Sequence, residues 1–321
     1  MRKGIIVHPD EFGKKQIDRA AELGIDVIGI HPIGGKDAAD SLGALVELCK
    51  TENFQKLVDY ALELGITVEY EAHTASYLLD RSLFESHPEY FREKENGERT
   101  PDANFCVSNN EALDIAAKNA VKLAKSLYRT PHDFYFWLDD VNGKKCNCEK
   151  CREHSSSDQQ LIFSNRIANE LKKHFPDARV PYIAYRSTLE PPTSVRPESG
   201  VFLEYAPMEK YVKTFPDRIE AEKKAFDSIV KFFGADNTKI LEYWLDNSLF
   251  SGWKKPPKQL PTMDPESIAS DIAYYASRGI EDITTFACYL GDDYEALFGE
   301  PDIEAYVKAF ELAKKYKDSN Q

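Results

Sequence analysis

The chain has 321 residues, of which 42% are hydrophobic and 30% charged, so it can bury the core of one large α/β domain. Its formal net charge of −13 repels phosphate backbones and argues against a nucleic-acid partner. No apolar run reaches the length needed to cross a bilayer, which argues against a membrane protein.

The first four residues lead directly into a predicted strand, without a signal peptide before it. The sequence as written therefore predicts a cytoplasmic protein. A leader removed beforehand would leave the same start, and the protein would then be periplasmic or extracellular. The six cysteines do not follow the spacing of a disulfide framework.

Strand-like and helix-like segments alternate from one end of the chain to the other. The first apolar run ends at Pro9, a helical pattern closes at Gly24, and the second apolar run ends at Pro32. The same rules predict eight strands, at residues 3–8, 25–31, 66–73, 132–140, 180–187, 201–206, 238–246 and 283–290. They also predict helices at residues 54–64, 110–127, 158–174, 218–233, 265–277 and 301–316.

This alternation predicts a (β/α)8 TIM barrel that forms a single domain over residues 1–321. An extended irregular loop follows strand three, and a cysteine-rich loop follows strand four. The connection between strands five and six is too short for a full helix. An open doubly wound sheet is the alternative, but no glycine-rich phosphate-binding sequence follows the first strand.

Polar and aromatic side chains gather at the ends of the predicted strands, where barrel active sites lie. Burying this many polar groups is costly unless they bind something, although some could pair inside the barrel, for example Arg186 with Glu204. Glu242, Trp244 and Asp246 are expected on one face of strand seven, with Trp244 as the best sugar-stacking platform. The predicted substrate-binding residues are His73, Trp137, Tyr185, Arg186, Glu204, Tyr205, Glu242, Trp244 and Asp246.

Strand four ends in two adjacent acids, Asp139 and Asp140. Carboxylates held close together repel, which favours keeping one of them protonated as a general acid. We therefore predict that this pair is catalytic. A helix cap or a salt bridge in the loop is the structural alternative.

Three cysteines crowd into the loop after strand four, at Cys146, Cys148 and Cys151. In a barrel this loop lies beside the loop after strand three, which carries Cys106, so the four thiols are predicted to bind a structural zinc ion. His154 is a substitute fourth ligand. Free thiols, or a disulfide in a secreted protein, are the alternatives.

Five segments together resemble a bacterial family of unknown function, the one numbered 4838. The match covers roughly residues 83–206, and the combination of segments is specific, although each segment alone is not. The segments are SHPEYF at 86–91, FCVSN at 105–109, WLDD at 137–140, CNCEKC at 146–151, and IAY at 183–185 followed by a Pro-Pro pair at 191–192.

The resemblance implies a glycoside-hydrolase barrel similar to β-N-acetylhexosaminidases and α-glucuronidases. It implies an oligosaccharide or glycoconjugate substrate with an N-acetyl or uronic-acid group. In hexosaminidase-type barrels the first acid after strand four orients the substrate acetamido group and the second protonates the leaving oxygen, which implies these roles for Asp139 and Asp140. Family 20 enzymes usually have Asp-Glu here, so the Asp-Asp pair looks more like the family 84 type.

Three other interpretations remain open. Glu204 and Glu242 could form a two-carboxylate pair across the barrel. The barrel could bind carbohydrate without catalysis, since fold does not fix function. It could also be a zinc-dependent hydrolase or isomerase with His8, His31 and His73 as ligands, although strand one does not end in the His-x-His expected of such enzymes.

Overall fold

The structure is a computed structural model that describes residues 1–208 and 216–319. Its main strands are β1 (Arg2–Val7), β2 (Val27–Ile30), β3 (Thr67–His73), β6 (Tyr135–Trp137), β7 (Val180–Ala184), β8 (Val201–Tyr205), β9 (Thr238–Glu242) and β10 (Asp282–Phe286). These eight strands form one parallel sheet in the order β6-β3-β2-β1-β10-β9-β8-β7. Two short strands, β4 (Arg92–Glu93) and β5 (Arg99–Thr100), form a separate antiparallel hairpin.

The ring of strands closes between β6 and β7, but only at their amino-terminal ends. There the Phe134 amide donates to the Arg179 carbonyl at 2.8 Å, and the Arg179 amide donates to the His132 carbonyl at 2.8 Å. Farther along β7, side chains take the place of a neighbouring strand: the Gln160 amide donates to the Ile183 carbonyl and the Ser164 hydroxyl to the Pro181 carbonyl. The sheet is therefore a barrel that is nearly, but not uniformly, closed.

Helices cover the outside of the barrel and connect successive strands. Several begin where the sequence supplies a cap: the side chains of Thr51, Asn109, Ser155 and Asp264 each accept a hydrogen bond from a backbone amide of the first turn. The helices are α1 (Lys14–Glu22), α2 (Ala38–Leu48), α3 (Glu52–Glu63), α4 (Ala75–Leu78), α5 (Asn110–Ser126), α6 (Ser156–Lys172), α7 (Pro216–Phe233), α8 (Asn247–Phe250), α9 (Pro265–Ala276), α10 (Asp292–Phe298) and α11 (Glu304–Ser319).

The sheet separates two apolar cores. The larger one lies between the strands and the helices and includes Ile5, Val68 and Ile240. The smaller one fills the lumen and includes Ile6, Phe202 and Leu241, so neighbouring residues of one strand belong to different cores. The lumen is therefore packed rather than hollow over its middle part.

The predicted TIM barrel is confirmed, with all eight predicted strands present and most of them shorter than predicted. The extended loop after β3 contains α4 and the β4–β5 hairpin, and the cysteine-rich loop follows β6. Residues 185–200, all of them described, connect β7 to β8 with a single 3-10 turn and no α-helix, as expected. In the described part of the chain, no helix is both long enough and apolar enough to cross a membrane.

Candidate functional site

A cavity of about 500 Å³ opens at the carboxyl-terminal end of the barrel. It is bounded by strand ends and by the loops that follow them, where the topology brings side chains from distant parts of the sequence together. Six of the predicted site residues line it: His73, Trp137, Asp140, Tyr185, Arg186 and Asp246. The predicted polar site at this end of the barrel therefore coincides with a cavity.

Three histidines form a row along one wall of the cavity, one from the end of each of β1, β2 and β3. In every case Nδ1 lies against a backbone carbonyl of the next strand: His8 on His31 at 2.8 Å, His31 on Glu71 at 2.7 Å, and His73 on Leu138 at 2.6 Å. A carbonyl only accepts, so Nδ1 of each ring carries a proton, and Nε2 is the ring nitrogen left for other contacts.

The His8 and His31 rings are stacked with centroids 6.0 Å apart, and the His73 ring meets His31 edge to face with centroids 5.8 Å apart. Burial, and then the two neighbouring histidines, lower the pKa of His31 well below its usual value. His31 is therefore a neutral acceptor at neutral pH. The spacing of the row suits the binding of several hydroxyl groups of one ligand.

Asp140 is the exposed acid of the pair and lies at the mouth of the cavity. Its carboxylate accepts a hydrogen bond of 3.3 Å from the Tyr185 hydroxyl, which comes from the end of β7. The loop after β2 passes close to it because Gly34 has no side chain: a Cβ there would lie 3.0 Å from the His73 ring and 3.8 Å from Asp140. Asp140 is thus accessible and held among groups that could contact the same ligand.

Asp139 points away from the cavity and binds the loop after β3. Its carboxylate accepts hydrogen bonds from the amides of Ser76 at 2.9 Å and Asn104 at 2.6 Å, and from the Arg81 guanidinium at 2.6 Å. The Asn104 side chain accepts in return from the Asp139 amide at 2.9 Å. Its oxygens are therefore occupied by protein donors, and the predicted contact of Asp139 with substrate finds no support in this arrangement.

Asp246 lies on the β9 side of the same cavity. It caps α8 by accepting from the Leu249 amide at 3.2 Å and from the Ser248 hydroxyl. Burial raises the pKa of Asp246, which favours its protonated form. Tyr243, which also lines the cavity, is affected electrostatically by both Asp246 and Asp140, so the two acids face a common space.

Three predicted site residues point to the outer helices instead of the barrel lumen. Glu242 accepts from the Tyr275 hydroxyl of α9, the Trp244 indole donates to Asp271 of α9 at 3.2 Å, and the Tyr205 hydroxyl lies 3.5 Å from the carbonyl of Glu222 in α7. The prediction that they bind substrate is wrong. On β9 the lumen-facing residues are Lys239 and Leu241, and Tyr243 continues this face just after the strand. The inward face of β9 was therefore assigned one residue out of register.

Glu204 does face the lumen, but it lies below the cavity floor. The Trp137 indole donates to one of its oxygens at 2.8 Å, and Trp137 separates it from the ligand space. Burial, and then the nearby Glu71, raise the pKa of Glu204 well above its usual value. Glu204 thus supports Trp137 from below, and the two-carboxylate pair of Glu204 and Glu242 is not assembled.

Beneath Glu204 is a buried ion cluster around Lys239. Its ammonium donates to Glu69 at 2.9 Å, to Glu71 at 3.3 Å and to the Tyr135 hydroxyl at 2.9 Å, while Arg2 donates to Glu69 at 2.8 Å from the amino-terminal end. Burial opposes ionisation of Glu69, but Lys239 and Arg2 outweigh it and lower its pKa to about 2. Burial raises the pKa of Glu71 to about 7, against the effect of Lys239.

Sequence reasoning missed the most exposed aromatic of the cavity, Trp253. Its side chain is 57% exposed at the rim, and its backbone has φ of 54°, a left-handed conformation that non-glycine residues rarely adopt. A large exposed apolar side chain held in that conformation beside a cavity makes Trp253 a candidate for ligand contact. The available signal was a Gly-Trp pair in a polar, proline-rich loop after strand seven.

The four predicted cysteine ligands come together beside this site. Cys106, Cys146, Cys148 and Cys151 are all buried, and their sulfur atoms lie within 4.8 Å of one another. Among the described residues, no other group of three or more histidine, cysteine, aspartate or glutamate side chains meets in this way. The histidine metal site of the zinc-hydrolase alternative is therefore not assembled within that part of the chain.

Comparison with solved structures identifies the same fold at low sequence identity. An α-amylase from Lactobacillus plantarum superposes with a TM-score of 0.51 at 13% identity, over 97% of this chain and 79% of the amylase chain. A β-galactosidase from the psychrophilic Marinomonas ef1 superposes with a TM-score of 0.52 at 13% identity, over 99% of this chain and 60% of the galactosidase chain. The chain thus spans less than two thirds of that galactosidase.

No curated protein matches the chain. The domain of unknown function DUF4838 matches residues 49–297, a wider span than the motifs that carried the resemblance. That match includes β3 to β10 and every residue that we place in the cavity except those from the first two strands and the loop after β2. The chain belongs to the DUF4838 family.

Proposed function

We propose that this protein is a glycoside hydrolase whose substrate binds in the cavity at the carboxyl-terminal end of the barrel. The observation that carries the proposal is the meeting of two acids, the exposed Asp140 and the buried Asp246, at a cavity that also holds the histidine row and an exposed tryptophan. Glycosidic bond cleavage needs a proton donor and a second carboxyl or substrate group on the other side of the bond.

The strand order supports opposite placement of these acids. Asp140 follows β6 and Asp246 follows β9, and β7 and β8 separate those strands on the shorter way round the barrel. Asp140 reaches solvent and the Tyr185 hydroxyl, so it is the group that exchanges protons with the leaving oxygen. Asp246, which burial keeps protonated more readily, binds substrate hydroxyls or serves as the second carboxyl group.

The substrate is a sugar with an N-acetyl or uronic-acid group. Arg186 on the cavity wall supplies a cation for a carboxylate, while Met208 and Phe286 supply apolar surface for an acetamido methyl group. The histidine row supplies acceptors for ring hydroxyls, and Trp253 offers a flat surface for the apolar face of a sugar. Asp139 follows β6 and is held by its hydrogen bonds to the loop after β3, so it positions Asp140 rather than orienting an acetamido group.

A panel of chromogenic glycosides tests the proposal. The members should differ in one group at a time: N-acetylglucosaminide against glucoside, and glucuronide against glucoside. Wild type should hydrolyse at least one charged or N-acetylated member, and Asp140→Asn should lower its kcat by about 100-fold or more because the proton donor is lost. Asp236→Asn, the same change on an exposed residue near the amino-terminal end of β9, is the matched control.

The outcomes separate the candidate functions. Equal rates for wild type and Asp140→Asn on every member would refute the assignment of Asp140. No turnover by either protein, together with saturable binding of the same sugars by calorimetry, would favour the carbohydrate-binding barrel. Folding of both variants is checked by circular dichroism, so a loss of rate cannot be mistaken for a loss of structure.

A further inference from the structure

The cysteine cluster joins two loops that have little structure of their own. Cys106 lies in the loop after β3, next to the β4–β5 hairpin, whereas Cys146, Cys148 and Cys151 lie in the loop after β6. We propose that these four cysteines bind one zinc ion, and that this ion fixes the loop that holds Asp139 at the rim of the cavity. The proposal does not depend on the glycosidase assignment.

The sulfur positions fit a tetrahedral ion. With Zn–S bonds of about 2.3 Å, neighbouring sulfurs of a tetrahedron are about 3.8 Å apart. The Cys106 sulfur lies 3.7 Å from the sulfurs of both Cys148 and Cys151, and all four sulfurs lie within 4.8 Å of one another. A disulfide would bring two sulfurs to about 2.05 Å, so the cluster does not have the geometry of a disulfide.

The surroundings compensate the charge that such a site carries. Four thiolates and one Zn²⁺ have a net charge of about −2, which needs hydrogen-bond donors and a cation nearby. The Glu93 amide donates to the Cys146 sulfur at 3.4 Å, the Ser108 hydroxyl lies 2.9 Å from the Cys151 sulfur, and the Arg99 guanidinium interacts with Cys106. All three groups belong to the loop after β3, and two of them contact cysteines of the loop after β6, so these contacts bridge the two loops around the proposed ion.

A buried glutamine holds the cysteine-rich loop in the shape that the ion requires. Gln159 of α6 accepts from the Cys146 amide at 2.9 Å and donates to the carbonyls of Cys146 at 2.8 Å and Cys151 at 3.1 Å. The loop is therefore anchored to a helix of the barrel on one side. On the other side the β4–β5 hairpin, two residues in each strand, is too short to be stable alone.

The connection to the cavity runs through Asn104, two residues before Cys106. The Asn104 amide and side chain both bind Asp139, and the Arg81 guanidinium bridges Asp139 to the Asn104 carbonyl. Asn104 has φ of 49°, a left-handed conformation that asparagine can adopt but that this loop has to hold against more extended alternatives. Zinc at Cys106 would supply that restraint, so loss of zinc should loosen the segment around Asp139 while the rest of the barrel stays folded.

Metal analysis of the purified full chain tests the site directly. After dialysis against metal-free buffer, elemental analysis should find one zinc per chain, and the denatured protein with chelator should titrate six free thiols. Cys148→Ser should lose the zinc, whereas Cys288→Ser, a buried cysteine outside the cluster, should retain it. Less than half an equivalent of zinc, one equivalent of iron instead, or fewer than six thiols would overturn the proposal.

Hydrogen exchange tests the coupling to the rim and needs no variant that might fail to fold. Removing the metal with a strong chelator should speed amide exchange in residues 88–109 and 139–151, leave α9 unchanged, and lower the melting temperature by about 5 °C or more. Unchanged exchange around Asn104 in zinc-free protein would refute the positioning role. Uptake of Co²⁺ with sulfur-to-metal charge-transfer absorption would support four-thiolate binding, and its absence would contradict it.

Discussion

The two ends of the barrel lumen use polar residues in opposite ways. In the amino-terminal half, Lys239, Glu69, Glu71 and Arg2 contact one another and have almost no access to solvent apart from Arg2. In the carboxyl-terminal half, each histidine of the row uses one ring nitrogen on the backbone and keeps the other for other contacts. The first set is paired within the fold, and the second leaves ring nitrogens beside the cavity.

This difference shows that a polar residue facing a barrel lumen is not by itself a sign of function. What separates the two halves is access to the cavity: below Trp137 the buried charges contact other protein groups, and above it side chains line the cavity. The contrast predicts that changes below Trp137 affect stability, and that changes above it affect ligand binding. Three substitutions test this, beginning with the largest expected effect.

Lys239→Met should lower the free energy of unfolding by about 3 to 5 kcal/mol, because it leaves buried carboxylates without their central cation. Urea denaturation monitored by tryptophan fluorescence measures the change. Lys231→Met, the same substitution at an exposed position of α7, is the control and should change stability little. A loss below 1 kcal/mol at Lys239 would mean that the lower cluster is not structural.

Glu71→Gln should change the dependence of stability on pH. The pKa of Glu71 is raised to about 7 in the folded protein, from 4.5, so the folded state keeps a proton that the unfolded chain releases. The free energy of unfolding that Glu71 contributes is therefore fully present below pH 4.5 and decreases as the pH rises to about 7. Glutamine cannot ionise, so the variant should be more stable than wild type at pH 8, by on the order of 1 to 3 kcal/mol, and similar near pH 4.5.

Denaturation curves at both pH values, with Glu63→Gln at an exposed position of α3 as the control, isolate this effect. An equal difference between variant and wild type at the two pH values would show that Glu71 does not hold the proton. Substrate affinity should not change, because Glu71 lies below the floor of the cavity.

Trp253→Ala is expected to have the smallest energetic effect. Unlike the two substitutions below Trp137, it should change ligand binding and not stability. Loss of the exposed ring should raise KM for the best glycoside of the panel by about tenfold, which corresponds to about 1.4 kcal/mol, with the melting temperature unchanged. Leu297→Ala removes a comparably exposed apolar side chain from α10, outside the cavity, and should alter neither value. A lower melting temperature without a change in KM would assign Trp253 to the fold.

Most of the fold could be predicted from sequence because its signals are local. Apolar runs ended by proline or glycine, such as the run before Pro32, predict strands, and strict alternation with helices predicts a parallel barrel. The meeting of Cys106 with the cysteine-rich loop was also predictable, because successive barrel loops are neighbours. These inferences need only element order, not side-chain orientation.

The errors in the site arose where orientation decides. The inward face of β9 was predicted one residue out of register, which placed Trp244 in the cavity, whereas it contacts the outer helix layer. No feature of the sequence fixes that register. Asp139 and Asp140 differ for a similar reason: adjacent residues point in different directions, and only the contacts of Arg81 and Asn104 show which acid is occupied. Trp253 was missed because a loop conformation cannot be inferred from periodicity.

The incomplete pairing of β6 with β7 has a consequence for ligand size. Pro181 has no amide proton, and its carbonyl and that of Ile183 are bound by side chains of α6, so above Phe134 few backbone bonds tie the two strands together. Asp140 and Tyr185 face each other across this seam at 3.3 Å. Separating this wall would break the ladder of no other strand pair, so we expect this side of the cavity to admit a larger ligand than the fully paired sides.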